Sequence, residues 1–239
     1  MGLSVKHACI FMLKDSCWLK KVLLGGCIVV FPFLSEFFPG IKRMMMEPDN
    51  IATLIMFIAV SVVLYSSLVG YFYKTLNYRL VKNDERLPDW NDFWSLTVTG
   101  FKATVGSLLF YLPFVALSLI AYYFIQPDIE TYKAHLICCF FFIHLVIFSL
   151  YLLFMLSFST DLKITSFLNW KRAIIILKNN FKNYVFLILS VVAMLFTFLV
   201  VASVMSLSGL ATLFLPFLTF YVFIVCADLF VQVNKKEAV

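Results

Sequence analysis

Along the chain, runs of about twenty apolar residues alternate with short polar connections, the spacing expected of helices that cross a hydrocarbon layer about 30 Å thick. Segments 51–73, 103–125, 136–159, 184–206 and 210–233 each hold at most one formally charged residue. Unpaired backbone groups cannot be left in hydrocarbon, so each run is predicted to be a spanning α-helix. Segment 22–38 is shorter and contains Gly25, Gly26, Pro32 and Glu36. It is read as a sixth span, with a kinked or re-entrant course left open. The predicted fold is all-α, a polytopic integral membrane helical bundle occupying 1–239 as one membrane domain.

Two connections carry a pattern of their own. Phe167, Trp170, Ile174, Leu177, Phe181 and Tyr184 recur at helical spacing, with Lys171, Lys178, Asn179 and Lys182 opposite them. An amphipathic helix over 166–183 is predicted, with Ser166 as its N-cap. Over 89–102, Trp90, Phe93, Trp94, Thr97 and Phe101 share one face, and Pro88 and Asp89 mark the start. Both segments are expected to lie in the membrane interface before turning into the following span.

Setting these connections against each other at an offset of 80 pairs Trp90 with Trp170, Phe101 with Phe181, Lys102 with Lys182, Val105 with Val185 and Leu109 with Leu189. Trp18, followed by Lys20 and Lys21, has the form of a more degenerate third copy. A repeat of this kind gives units of one orientation, related by a pseudo-rotation axis along the membrane normal.

Composition narrows the function classes. Of 239 residues, 63% are hydrophobic and only 13% charged, against roughly 25% in a soluble domain, which excludes a soluble enzyme, a disordered chain and a nucleic-acid reader. The net charge of +6 has a membrane explanation in the positions of the 19 Lys and Arg. Four precede the first span, five lie between the second and third, five between the fourth and fifth, and two follow the sixth. The alternate connections hold two, one and none. Sixteen against three predicts a cell (inner) membrane protein with both termini cytoplasmic. The apolar stretch over 8–13 is too short for a signal-peptide core, so the first membrane segment is expected to stay uncleaved. The six cysteines show no CxxC and no ligand spacing, and no metal or other cofactor is expected.

Ionisable groups inside spans are costly and make the candidate sites. Asp228 lies about a turn from the end of the sixth span, as a cation site, a proton relay or a group reaching interface water or a lysine; Lys102 and Lys182 are at a suitable depth to pair with it. His144 lies near the middle of the fourth span, as a relay or a neutral interhelical bond. Glu36 lies near the outer end of the first. Lys171, Arg172, Lys178 and Lys182, anchored by Trp170 and, in the earlier connection, by Trp90, are expected to contact anionic lipids at the cytoplasmic surface. No Gly-x-Ser-x-Gly, His-Glu-x-x-His or P-loop occurs, and no enzyme is expected.

Leu87-Pro88-Asp89-Trp90-Asn91-Asp92-Phe93, followed by Gly100-Phe101-Lys102 and by Tyr111-Leu112-Pro113, resembles the signature of domain-of-unknown-function family 4013, multipass membrane proteins of bacteria and archaea. Trp18 to Gly26 with Pro32 is similar to that family's opening, and 180–185 to its second half. The resemblance implies a multipass fold and supplies no reaction. The resulting expectation is a membrane scaffold or partner-binding subunit, with a membrane protein or a second copy as partner; the alternative is a transporter or lipid-handling permease of a small or apolar substrate.

Overall fold

A computed structural model describes residues 4–31, 51–82, 84, 86–125, 129–206 and 214–234. Among them are seven α-helices: α1 (Val5–Phe11), α2 (Trp18–Val30), α3 (Ile51–Leu80), α4 (Phe93–Ile125), α5 (Ile129–Asp161), α6 (Trp170–Ser206) and α7 (Leu215–Asn234). Five, α3 to α7, are long and apolar enough to cross a membrane. The expected first span coincides with α2 up to Val30, and its continuation over 32–38, including Pro32 and Glu36, lies outside the described residues.

One predicted boundary is absent and the other is shifted. The segment 89–102 does not form a helix separate from the span. After a single 3₁₀ turn at Trp90–Asp92, the chain enters a 33-residue helix that runs through Gly100 and Lys102 without a break, roughly 50 Å at 1.5 Å per residue. Nothing at 100–103 stops it: Gly100 is helical because it packs on α3, where a Cβ would meet the backbone of Ser66 and Gly70. The second segment is set off from its span: within α6 the backbone at Asn180 is non-helical, so the helix kinks there, a few residues before the boundary expected at 183. Ser166 is not its cap. It lies in a 3₁₀ helix, Ile164–Leu168, and its hydroxyl donates to Asp161, while the Asn169 side chain accepts from the Arg172 amide at the start of α6. The 3₁₀ helix drives the wholly buried Phe167 into the bundle against Gly106, Tyr73 and Phe158.

The helices form three pairs. Trp18 opens α2, Trp90 opens the 3₁₀ turn leading into α4, and Trp170 opens α6; α3, α5 and α7 return to the same end. Each returning helix packs on the outgoing helix of the next pair, α3 on α4 and α5 on α6, and the cycle closes with α7 on α2. At an offset of 80, Leu96 and Ile176 are buried, as are Gly100 and Asn180, and Phe101 and Phe181, Lys102 and Lys182, and Leu109 and Leu189 are exposed, whereas Trp90 and Val105 are half-buried where Trp170 and Val185 are exposed.

Burial is graded along the bundle. The end where the three tryptophans start their helices carries the described ion pairs and is called the charged end below. Towards it, α3 is buried from Gly70 to Leu76 and α7 from Ala227 to Val231; away from it, Ile55, Met56, Ile58, Leu117, Leu119, Leu195, Phe196 and Leu199 are exposed. Small residues allow the closest approach, since Gly70 and Gly100 bring the α3 and α4 backbones together without room for a Cβ on either.

Candidate functional site

At the charged end the Leu87–Asp92 segment is held from below by α2. Lys21 is buried, and its Nζ donates to Asp15 Oδ2 at 2.9 Å and to the Leu87 carbonyl at 2.7 Å, with Asp89 Oδ1 at 2.8 Å. Asp15 in turn accepts from the backbone amides of Cys17 and Leu87. Burial opposes the charge on Asp15, but the hydrogen bonds from Lys21, Cys17 and Leu87 outweigh it and hold the carboxyl below its ordinary value. The same balance raises Lys21: burial disfavours the ammonium, and the hydrogen bonds to Asp89 and Asp15 more than compensate. Trp90 donates its indole N–H to the Lys21 carbonyl at 3.1 Å and stacks on Tyr71, ring centroids 4.5 Å apart. On the other side Lys74 reaches Asp92 and Ser95, both at 2.7 Å. A cleft of about 380 Å³ lies among these groups. Lys21 and Lys74 pair with aspartates across it and Arg86 pairs with Asp84, so the motif joins α2, α3 and α4.

Residues 51–207, which include this motif, match the model of a protein family described as Protein of unknown function (DUF4013). The chain belongs to that family. The search of curated proteins and that of solved structures give no match for this DUF4013 protein.

A second polar group of the DUF4013 protein lies where α1 docks on α7. Asp228 is wholly buried and accepts from Arg79 at 2.6 Å, from Gln232 at 2.8 Å, and lies 3.1 Å from His7 Nδ1. Arg79, 2% exposed, also sits over the Phe11 ring at 4.4 Å. The partner of Asp228 is thus Arg79, from the last turn of α3; Lys102 and Lys182 face outward from α4 and α6 and do not pair with it. His144 is exposed on α5, and Glu36 lies outside the described residues, so neither joins Asp228 in a site. Lys171, Lys178 and Lys182 are exposed along α6, as are Trp170 and Phe181; Arg172 is half-buried and 3.8 Å from Asp161; Trp90 is half-buried in the motif. Among the described residues no three His, Cys, Asp or Glu side chains converge as metal ligands would.

The third feature was not foreseen. One to a few turns from the charged end, α3 to α7 line an apolar cavity of about 510 Å³ that opens to the bundle surface at Tyr65, Leu108 and Leu195. Phe72, Phe148, Leu152, Val191, Phe223 and Phe230 are among the apolar residues that line it, together with Tyr65, Tyr73, Tyr111, Tyr151, Thr104 and Ser107. Its volume falls within the range of small-molecule sites, which combine an apolar wall with a few placed polar groups. Thr104 and Ser107 donate back to the carbonyls of Gly100 and Ala103 in their own helix. Ser107 Oγ is also 2.8 Å from the Tyr151 hydroxyl. The sequence held a signal for this site: tyrosines favour the two interfaces of a membrane, whereas Tyr111 and Tyr151 fall inside predicted spans.

Proposed function

We propose that this protein is a non-enzymatic multipass membrane protein, its charged end in the cytoplasm, that accommodates a lipid-like molecule between its helices. The observation that carries this reading is the cavity, an apolar space bounded by five helices at the depth of the hydrocarbon and edged with hydroxyl groups. A bundle acting only as a scaffold needs no such space, because apolar side chains normally fill a helical interior to crystal-like density. Of the two roles open from the sequence, the geometry therefore favours lipid handling over partner binding alone. The exposed Lys171, Lys178 and Lys182 beside Trp170 and Phe181 support contact with anionic headgroups at the same end.

The test is purification in mild detergent followed by mass spectrometry of lipids and proteins. A lipid-like species in constant ratio to the protein, absent from a Val69→Trp variant that fills the cavity, is the expected result. Identical lipid content in both proteins, with another chain copurifying in fixed ratio, would return the assignment to the scaffold role.

A further inference from the structure

The cavity is a cup rather than a passage. Its closed end lies towards the charged end, where Phe72, Tyr73, Leu152 and Phe230 are buried and Phe158 and Phe167 pack edge-on against the Tyr73 ring. Its mouth is at Tyr65, Leu108 and Leu195, all exposed on the side of the bundle. Each of the three lies near the middle of its own helix: Tyr65 is fifteenth of the 30 residues of α3, Leu108 sixteenth of the 33 of α4, and Leu195 fifteenth after the kink at Asn180 in α6. At 1.5 Å per residue α3 is about 45 Å long, the thickness of a bilayer with its headgroup regions, so the mouth opens at the level where lipid chains end. From Tyr65 to Tyr73 the cup runs about 12 Å along α3, less than the roughly 15 Å of hydrocarbon in one leaflet.

We infer that the cup holds the methyl end of a hydrocarbon chain of a membrane lipid, drawn in sideways at the middle of the bilayer while the headgroup stays at the surface. This rests on the lipid-handling reading above and adds to it which part of the molecule is bound. The hydroxyls deep in the cup are turned to the protein. Thr104 and Ser107 donate to carbonyls of their own helix, the Tyr151 hydroxyl is 2.8 Å from Ser107, and the Tyr73 hydroxyl is closed off from the space and lies against Tyr151. Of the residues lining the cavity none is acidic or basic, so a phosphate or an ammonium would enter without a counter-ion, which hydrocarbon penalises heavily. The mouth makes the same selection by its position. A headgroup would have to cross half the bilayer to reach it, whereas the chain ends are already there.

The full-length protein in phosphatidylcholine nanodiscs can be photolabelled with trace phosphatidylcholine carrying a diazirine at the methyl end of one chain, with the same lipid carrying it beside the ester, and with phosphatidylglycerol carrying it at the methyl end. The two methyl-end probes are expected to mark Leu152 and Phe230, which are buried in the bundle and line the cup, to the same extent, and the ester-end probe to mark neither. Val69→Trp is expected to remove those marks and to keep the methyl-end marks on Phe196, exposed on the outer surface of α6. The contrast between probes in the wild type does not depend on that variant. Equal marking by the ester-end probe would show that a whole lipid enters, and marking by one headgroup alone that the headgroup is read; either overturns the inference and leaves the lipid-handling reading in place. If no probe marks Leu152 or Phe230 in the wild type, the inference falls, and the lipid content of the purified protein then decides the reading: a lipid-like species in constant ratio keeps it, and none removes it.

Discussion

Arg79 and Asp228 are separated by 149 positions in sequence and by 2.6 Å in space, both almost fully withdrawn from solvent. A buried pair of this kind is costly to break from one side only, because the remaining charge has no water to turn to. Asp228→Leu, which would be mild for a solitary buried acid, is therefore expected to destabilise the protein by about 3–5 kcal/mol, and Arg79→Met/Asp228→Leu to recover most of that loss, measured as melting temperature in detergent. Additive single losses in the double variant would contradict the pairing. The Asp15–Lys21 pair makes a pH prediction. The carboxyl of Asp15 is depressed below 3.8, so its contribution is present above that value and lost as the pH falls further. Lys21 is raised above 10.5, so its contribution is complete below that value and lost as the pH rises through the higher folded value. Stability should therefore show a plateau between, and Lys21→Met should erase the alkaline fall. From sequence, Asp228 was visible as an ionisable group in an apolar run. Its partner was not, because Arg79 reads as one more cation in a basic connection until the fold carries α3 about two turns further than the apolar pattern does.

In the outgoing helices α4 and α6 the largest apolar side chains are not the ones that pack on the bundle. Phe101 and Phe181 were placed on apolar faces, and both are exposed; the face that packs on the bundle is instead the less conspicuous row of Leu96, Gly100 and Ala103 or Ala173, Ile176 and Asn180. An amphipathic reading sees the larger side chains, whereas close helix packing in lipid uses the smaller ones. Gly100→Ala should accordingly force α4 away from the Ser66 carbonyl and cost about 1–3 kcal/mol, while Phe101→Ala, one residue on, should leave thermal stability unchanged within error. The exposed row has its own test. Changing Lys171, Lys178 and Lys182 to Glu should reduce the enrichment of phosphatidylglycerol around the protein in mixed nanodiscs, at about 1 kcal/mol per charge; Arg172, already near Asp161, should contribute less. Equal enrichment in the variant would mean that this row meets neutral lipid.

At the scale of the whole molecule, the apolar runs announced the long helices and the Lys and Arg count announced which ends gather together. The ion pairs described here do lie at the end where those connections meet. Which side of the membrane that end faces is a separate matter, answered by single-cysteine labelling with an impermeant reagent. Positions 131 and 208 should react from outside intact cells, and Lys6 and Lys171, replaced by Cys, only after lysis; early reaction at 171 would reverse the orientation. Tyrosines inside the predicted spans were the cavity's one trace in the sequence; its shape was hidden because its walls come from five helices and its tyrosines lie as far apart as 65 and 151. No local window brings such residues together.

The cyclic closure of α7 on α2 is accompanied by a direct link between the two ends of the described chain, since Gln232 accepts from the Ser4 amide at 2.7 Å and donates to the Ser4 carbonyl. In a ring of three similar pairs the place where synthesis starts is a matter of connectivity rather than of packing. A circular permutant, with residues 4 and 234 joined by a flexible linker of about eight Gly and Ser and the chain reopened at 82–86, should insert and reach a melting temperature close to that of the native order. Reopening at 164–168 should fail, because that cut releases Phe167 from the interior; the contrast between the two permutants would distinguish a closed ring from a merely compact bundle.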